Sequence, residues 1–148
     1  MNTCKIAVAH PFEGKPKINI CEVFGASPKK PLILKIATTG ERPITFSAKG
    51  LPDGLTLDGG VIRGSVKEEG NYTVTLTAVN ALGSDEKSVT FEIKEGNVLI
   101  APLLGFTSWN AYGASVTQED MEKTAHRLDE LGISEYGYSY VNLDSGWQ

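Results

Sequence analysis

The stretch NYTVTLTAVN, residues 71–80, decides how the first two thirds of this chain are read. Tyr72, Val74, Leu76 and Ala78 alternate with Thr73, Thr75 and Thr77. A strand turns successive side chains to opposite faces, so a period of two places the first set in a core and the threonines outside it.

Working outward, the same language recurs. LILKIA (32–37), ITFSA (44–48), VIRGSV (61–66) and KSVTFEIK (87–94) are short strand-like runs separated by Gly, Pro and Asp. LPDGL (51–55) and LDGGV (57–61) supply turns, with glycines able to take positive φ. Five or more strands with turn signals roughly every 8–12 residues predict a two-sheet sandwich. About 80 residues of this kind can bury one modest core. The sandwich is assigned to residues 17–97 and the preceding 1–16 to an N-terminal tail.

Beyond KEGN (94–97), a linker short enough to predict that two units pack together, the pattern changes. NVLIAPLLGFTSW (97–109) is apolar and runs into NAYGAS (110–115), read as a loop. VTQEDMEKTAHRLDELG (116–132) reads as a helix. Thr117 caps it, Gln118, Glu119 and Asp120 occupy the positive first turn, and Val116 staples onto Met121. Met121, Ala125, Leu128 and Leu131 form one buried stripe, and Gly132 ends the helix in a left-handed conformation. YSYVNLD (138–144) is a second strand. Strand, helix and strand in this order form a βαβ unit, with parallel strands and a right-handed crossover.

The totals exclude several classes. The 148 residues carry a net charge of −4, with 41% hydrophobic and 22% charged residues, ordinary for a globular protein. That balance argues against nucleic acid or an anionic membrane as partner. No window approaches the roughly 20 apolar residues that span a bilayer. The opening residues 1–15 lack the apolar centre of a signal peptide, so either the chain stays inside the cell or a longer parent's export signal was lost or replaced; a secreted or periplasmic parent is the reading adopted. Cys4 and Cys21 are read as two free thiols, with a single disulfide as the alternative, and without a nearby histidine they make no zinc site. No metal or cofactor is expected.

In the second strand Tyr138, Tyr140, Asn142 and Asp144 share one face, while Ser139, Val141 and Leu143 share the other. Asp144 falls at the carboxyl end of this strand and Trp109 at the carboxyl end of the one before it. In a (β/α)₈ barrel both positions face the active-site mouth. An aromatic ring beside a carboxylate can hold a sugar, the ring against its C–H face and the acid on its hydroxyls. The bland alternatives are a core tryptophan and a turn-capping aspartate. Glu119, Asp120, Glu122, Asp129 and Glu130 read as solvated helix charge, and His126 and His10 as exposed. NYT at 71–73 fits a glycosylation pattern, but Tyr72 is needed in a strand. GSDEKS (83–88) reads as a polar hairpin tip.

Residues 103–148, with Gly105, Ser108, Trp109, Asn110, Gly132, Gly137, Tyr138, Tyr140, Asp144, Gly146 and Trp147 as anchors, resemble the opening of the α-galactosidase-like enzymes, glycoside hydrolase family 27. Their barrel begins with a PPMGWNSWN-like strand and continues to a GYxYVNLDDGW-like strand. Residues 41–84 are similar to the immunoglobulin-like domains of bacterial surface and secreted proteins, an arrangement that suits a bacterial parent. The resemblance implies a multi-domain chain: an all-β immunoglobulin-like sandwich, then the first βαβ of an incomplete (β/α)₈ TIM barrel at 98–148.

It further implies that Trp109 walls a sugar pocket and that Asp144 matches the first of two paired aspartates that bind galactose hydroxyls. Ser145 stands where the second aspartate is expected, a hydroxyl without the charge that strengthens such bonds. Phe106 stands where a tryptophan is common. The substrate implied is an α-galactoside-type glycan, cleaved with retention of configuration. Retention needs two carboxyl groups about 5 Å apart; in the family both lie on later strands, so no catalytic residue is expected here and the chain alone is expected to be inactive. The alternative is that the sandwich is the working unit, a carbohydrate- or protein-binding module or a spacer. Residues 98–148 are expected to dock on the sandwich, to self-associate through the unfinished barrel, or to be poorly ordered.

Overall fold

The computed structural model describes residues 10–98 and 104–146. In chain order its strands are β1 (Lys17–Ile18), β2 (Val23–Ala26), β3 (Leu32–Lys35), β4 (Thr38–Thr39), β5 (Thr45–Lys49), β6 (Leu55–Asp58), β7 (Val61–Gly64), β8 (Gly70–Asn80) and β9 (Gly83–Ile93). They are followed by β10 (Gly105–Thr107), helix α1 (Trp109–Tyr112), helix α2 (Gln118–Glu130) and β11 (Tyr140–Asn142).

A four-stranded sheet in the order β2-β9-β8-β5 faces a three-stranded sheet, β3-β7-β6, and β1 pairs with β4 at one end. The expected sandwich is present, and β8 carries the predicted alternation. Val74, Leu76 and Ala78 are fully buried and Tyr72 is half-buried, while Thr73, Thr75 and Thr77 lie on the other face. From the facing sheet Leu32, Leu55 and Ile62 join the same core, with Phe91 and Val89 from β9 at its centre.

Among the described residues the strands of this unit number nine, within the expectation of five or more. β6 lies between the two turn signals, outside the five runs named from the sequence. β2 lies outside any alternating run and is held by parallel pairing to β9, from Val23↔Thr90 to Ala26↔Ile93. GSDEKS is not the hairpin tip: Gly83 already pairs with Asn80, and the turn is Ala81–Leu82. Asn80 forms that turn by accepting from the Leu82 and Gly83 amides at 2.9 and 3.1 Å. Residues 11–16, assigned to the tail, touch the sandwich at particular points. Pro11 and Pro16 are buried, and the Pro11 and Gly14 carbonyls accept from the Gly40 and Glu41 amides at 2.8 and 3.0 Å. Nothing periodic marks this segment, because its partners lie on other strands. His10 is exposed.

The second unit is a parallel strand pair joined through helices. β10 and β11 run in the same direction with Gly105↔Tyr140, Phe106↔Val141 and Thr107↔Asn142 in register. A Cβ on Gly105 would run into the Tyr140 carbonyl, so only glycine allows this close approach. The strand read over residues 138–144 is shorter, because a 3₁₀ turn at Ile133–Tyr136 precedes it. The NAYGAS loop is in part helical, taken up by α1 and a 3₁₀ turn at Gly113–Ser115.

Helix α2 begins and ends as predicted. The Thr117 side chain accepts from the Asp120 amide at 3.2 Å, and the Asp120 carboxylate accepts from the Thr117 amide at 3.0 Å. The Thr117 hydroxyl, which donates to Asp120 Oδ2 at 2.7 Å, and the Thr117 amide hold the Asp120 carboxyl below its ordinary value. Gly132 takes φ 65°, ψ 20° in the left-handed region. The stripe, however, is not buried: Met121 and Leu128 are half-buried, Ala125 and Leu131 exposed. Two short strands are too narrow to cover a 13-residue helix. Among the described residues no helix is long and apolar enough to cross a membrane.

Candidate functional site

The carboxyl ends of β10 and β11 are tied by one side chain. Ser108 is fully buried. Its amide donates to the Asn142 carbonyl at 3.1 Å, extending the parallel ladder by one residue. Its hydroxyl accepts from the Asp144 amide at 2.9 Å, and its carbonyl accepts from Ala111 and Tyr112 at 3.1 and 3.0 Å, starting α1. Ser108 therefore sets where both candidate side chains leave the backbone: Trp109 directly follows it, and Asp144 hangs from it.

Trp109 is not at the end of β10 but opens α1, with 48% of its surface exposed. Asp144 and Ser145 lie beyond β11 in the turn that follows, and both are exposed. Asp144 Oδ1 accepts from the Ser145 amide at 2.7 Å. The carboxylate thus caps its own turn, as the bland reading expects. Oδ2 makes no hydrogen bond to the described residues. Trp147 and Gln148 lie outside the described residues. Tyr112 packs edge-on against Phe106 with ring centroids 6.1 Å apart, and its hydroxyl lies 3.2 Å from that of Thr124. That contact fixes the end of α1 against α2.

The helix acids are solvated charge. Glu119 pairs with Lys123 at 2.6 Å and Glu130 with Arg127 at 3.0 Å, all highly exposed, and Glu122 accepts from Gln118 at 2.7 Å. His126 is exposed. Cys21 is exposed and bonded to no other cysteine among the described residues; Cys4, and with it any pairing of the two, lies outside them.

Sequence reasoning missed Glu135. Its side chain retains 11% of its exposure and meets Lys35 Nζ at 2.9 Å and Arg42 at 3.0 Å. The Thr38 amide donates to Oε2 at 3.1 Å, while its backbone carbonyl accepts from Asn19 at 2.8 Å. Burial pushes the carboxyl upward, but the hydrogen bonds from Lys35 and the Thr38 amide and the charges of Lys35 and Arg42 outweigh it, leaving the group below its ordinary value of 4.5. The docked alternative for the second unit is therefore the one observed. One signal was present: Glu135 is the single charged residue between Glu130 and Asp144.

Residues 22–94 match the family described as "Putative Ig domain". A "Probable alpha-galactosidase B" of Neosartorya fischeri is 31% identical over 74 residues, covering 50% of this chain and 17% of the relative. The structure of "a putative alpha-galactosidase/melibiase" from Bacteroides fragilis superposes with a TM-score of 0.88 at 43% identity, over 94% of this chain and 30% of that one. A second structure from that organism, "a putative alpha-galactosidase", gives 0.88 at 42% identity, over 96% and 31%. The chain thus spans less than a third of the length of each of these proteins. Residues 22–94 are an immunoglobulin-like domain, and the chain that carries it is related to α-galactosidases.

Proposed function

We propose that this chain is the amino-terminal part of a retaining glycoside hydrolase of family 27, an α-galactosidase whose TIM barrel begins at β10. The parent cleaves terminal α-linked galactose, or a related sugar, and is a secreted or periplasmic bacterial enzyme. Trp109 supplies an apolar wall for the sugar ring, and Asp144 and Ser145 accept or share hydrogen bonds with its hydroxyls. Nucleophile and acid/base belong to strands that follow β11, so the 148 residues alone do not turn over substrate. The half-covered stripe of α2 and the open edges of the β10–β11 pair are surfaces that further βα units, or a second copy, would cover.

One observation carries the reading: two parallel strands end side by side, with Ser108 joining the backbone of Asp144 to the start of α1. Active sites of (β/α)₈ enzymes are assembled at that end of the sheet. The similarity to α-galactosidases across nearly the whole chain supports it. The test is hydrolysis of an aryl α-galactoside by the chain alone and by the chain extended through its downstream coding sequence. No turnover is expected from the first, and turnover with initial release of the α-anomer from the second. Turnover by the chain alone, or an inactive folded extension, would refute the proposal.

A further inference from the structure

The two units meet along Leu104 and Tyr140, which line one pocket with Ile20, Phe24 and Leu34, and through polar chemistry concentrated on one turn. Residues 132–135 follow α2 and press against the sandwich. A Cβ on Gly132 would lie 2.5 Å from Pro11 Cγ and 2.8 Å from Phe12 Cζ. Ser134 is buried and accepts from Lys35 Nζ at 3.0 Å. Arg42 binds Glu135, donates to the Thr38 carbonyl at 3.1 Å, and lies 5.6 Å over the Phe12 ring. Glu135 is the centre of this arrangement, joined to β3 through Lys35, to β4 through the Thr38 amide and to the following loop through Arg42.

We propose that Glu135 is an acid-released latch: ionised, it clamps the βαβ unit to the immunoglobulin-like domain in one orientation, and protonated, it lets the two turn against each other. A carboxylate in this position accepts from two cations and a buried amide at once. A carboxylic acid keeps one fewer acceptor site and attracts neither cation, so Lys35 and Arg42 would be left facing each other. An open cavity of about 220 Å³, lined by Lys35, Arg42, Phe46 and Gly60 as well as Glu135, brings solvent to the carboxyl.

The other charged groups around the site do not substitute for it. Asp129, on α2, is 3.9 Å from Lys35 and highly exposed. His10 and Glu13, on the segment carrying Pro11 and Phe12, pair with each other at 3.4 Å in solvent. The sign follows from the lowered carboxyl. Its contribution is complete above the ordinary value of 4.5 and is lost as pH falls through the lower folded value. The inference is independent of the sugar reading, since it needs only the interface.

The test is ¹⁵N relaxation and amide exchange on the 148-residue chain, from neutral pH down to about pH 3. At neutral pH both units are expected to share one tumbling time, with the Thr38 amide protected. In acid the tumbling times separate. Thr38 protection falls at least about tenfold while the β8–β9 amides keep theirs. Glu135→Gln is expected to produce the separated state at neutral pH. Lys35→Met, which keeps the acid but removes one cation, moves the release midpoint to higher pH. Common tumbling and a protected Thr38 throughout the titration would overturn the proposal. So would acid release that Glu135→Gln and Lys35→Met both leave unaltered, since another group would then be responsible.

Discussion

The sandwich and the strand–helix–strand unit bury opposite kinds of residue. Every buried hydrophobic residue among those described lies between Ile18 and Ile93, and all but Ala37 belong to one cluster shared by two sheets. In the second unit the buried side chains are Ser108, Ser134 and Glu135, and α2 buries none. Apolar burial is non-directional and scales with area, so the first unit can hold itself together. Hydrogen-bonded polar burial is directional and contributes little net stability, but leaving a partner unmade is costly. The second unit is therefore held in place by geometry more than by area. Ser108 ties its two strands together, and Glu135 is among the residues that hold it on the sandwich, with Ser134 and Gly132 beside it.

This contrast can be broken at its apolar end first. Phe91→Ala should cost about 3–5 kcal/mol, because the ring is fully buried at the centre of the cluster and leaves a cavity. Urea unfolding followed by far-ultraviolet circular dichroism would show it, and a loss under about 1 kcal/mol would place the core elsewhere. Next, Glu135→Ala should cost about 1–3 kcal/mol of docking free energy by stranding Lys35 and Arg42. The urea midpoint of the sandwich should stay in place while protease sensitivity rises in residues 104–146.

Gly132→Ala should be comparable or slightly smaller, about 1–2 kcal/mol, because its φ of 65° disfavours a Cβ and Pro11 and Phe12 occupy the space. It should also loosen the Thr38 amide, a change that a purely helical defect would not produce. The smallest effect belongs to the cap. Thr117→Ala should cost about 1 kcal/mol, visible as faster exchange at the Asp120 amide without loss of docking.

What could be read from residues alone follows the range of the interaction. β8 was legible because alternation is written in neighbouring residues, and α2 because Thr117, Asp120 and Gly132 act within a turn of their own positions. β2 was not, since its hydrogen bonds go to a strand about 67 residues later, as Thr90 to Glu22 shows at the start of the pair. The stripe of α2 was read correctly as a pattern but wrongly as buried: periodicity says which residues share a face, not whether anything covers it. Of the candidate site, Trp109 and Asp144 were legible as residues at adjacent strand ends and the resemblance strengthened that reading, while their attachment to Ser108 came from the structure. Glu135 stood out only as a lone charge in an uncharged run; its role could not be read, as the amide it accepts from is 97 residues upstream.

The most direct measurement is kcat/KM on an aryl α-galactoside for the extended enzyme and its Asp144→Asn variant. Removing the charge from a hydrogen bond to a sugar hydroxyl should lower it about tenfold to a hundredfold, with the fold and the Ser108 contact retained because the Asp144 amide is unchanged. An Asp144→Asn enzyme as active as the parent would contradict the account, reducing the acid at the end of β11 to a turn cap.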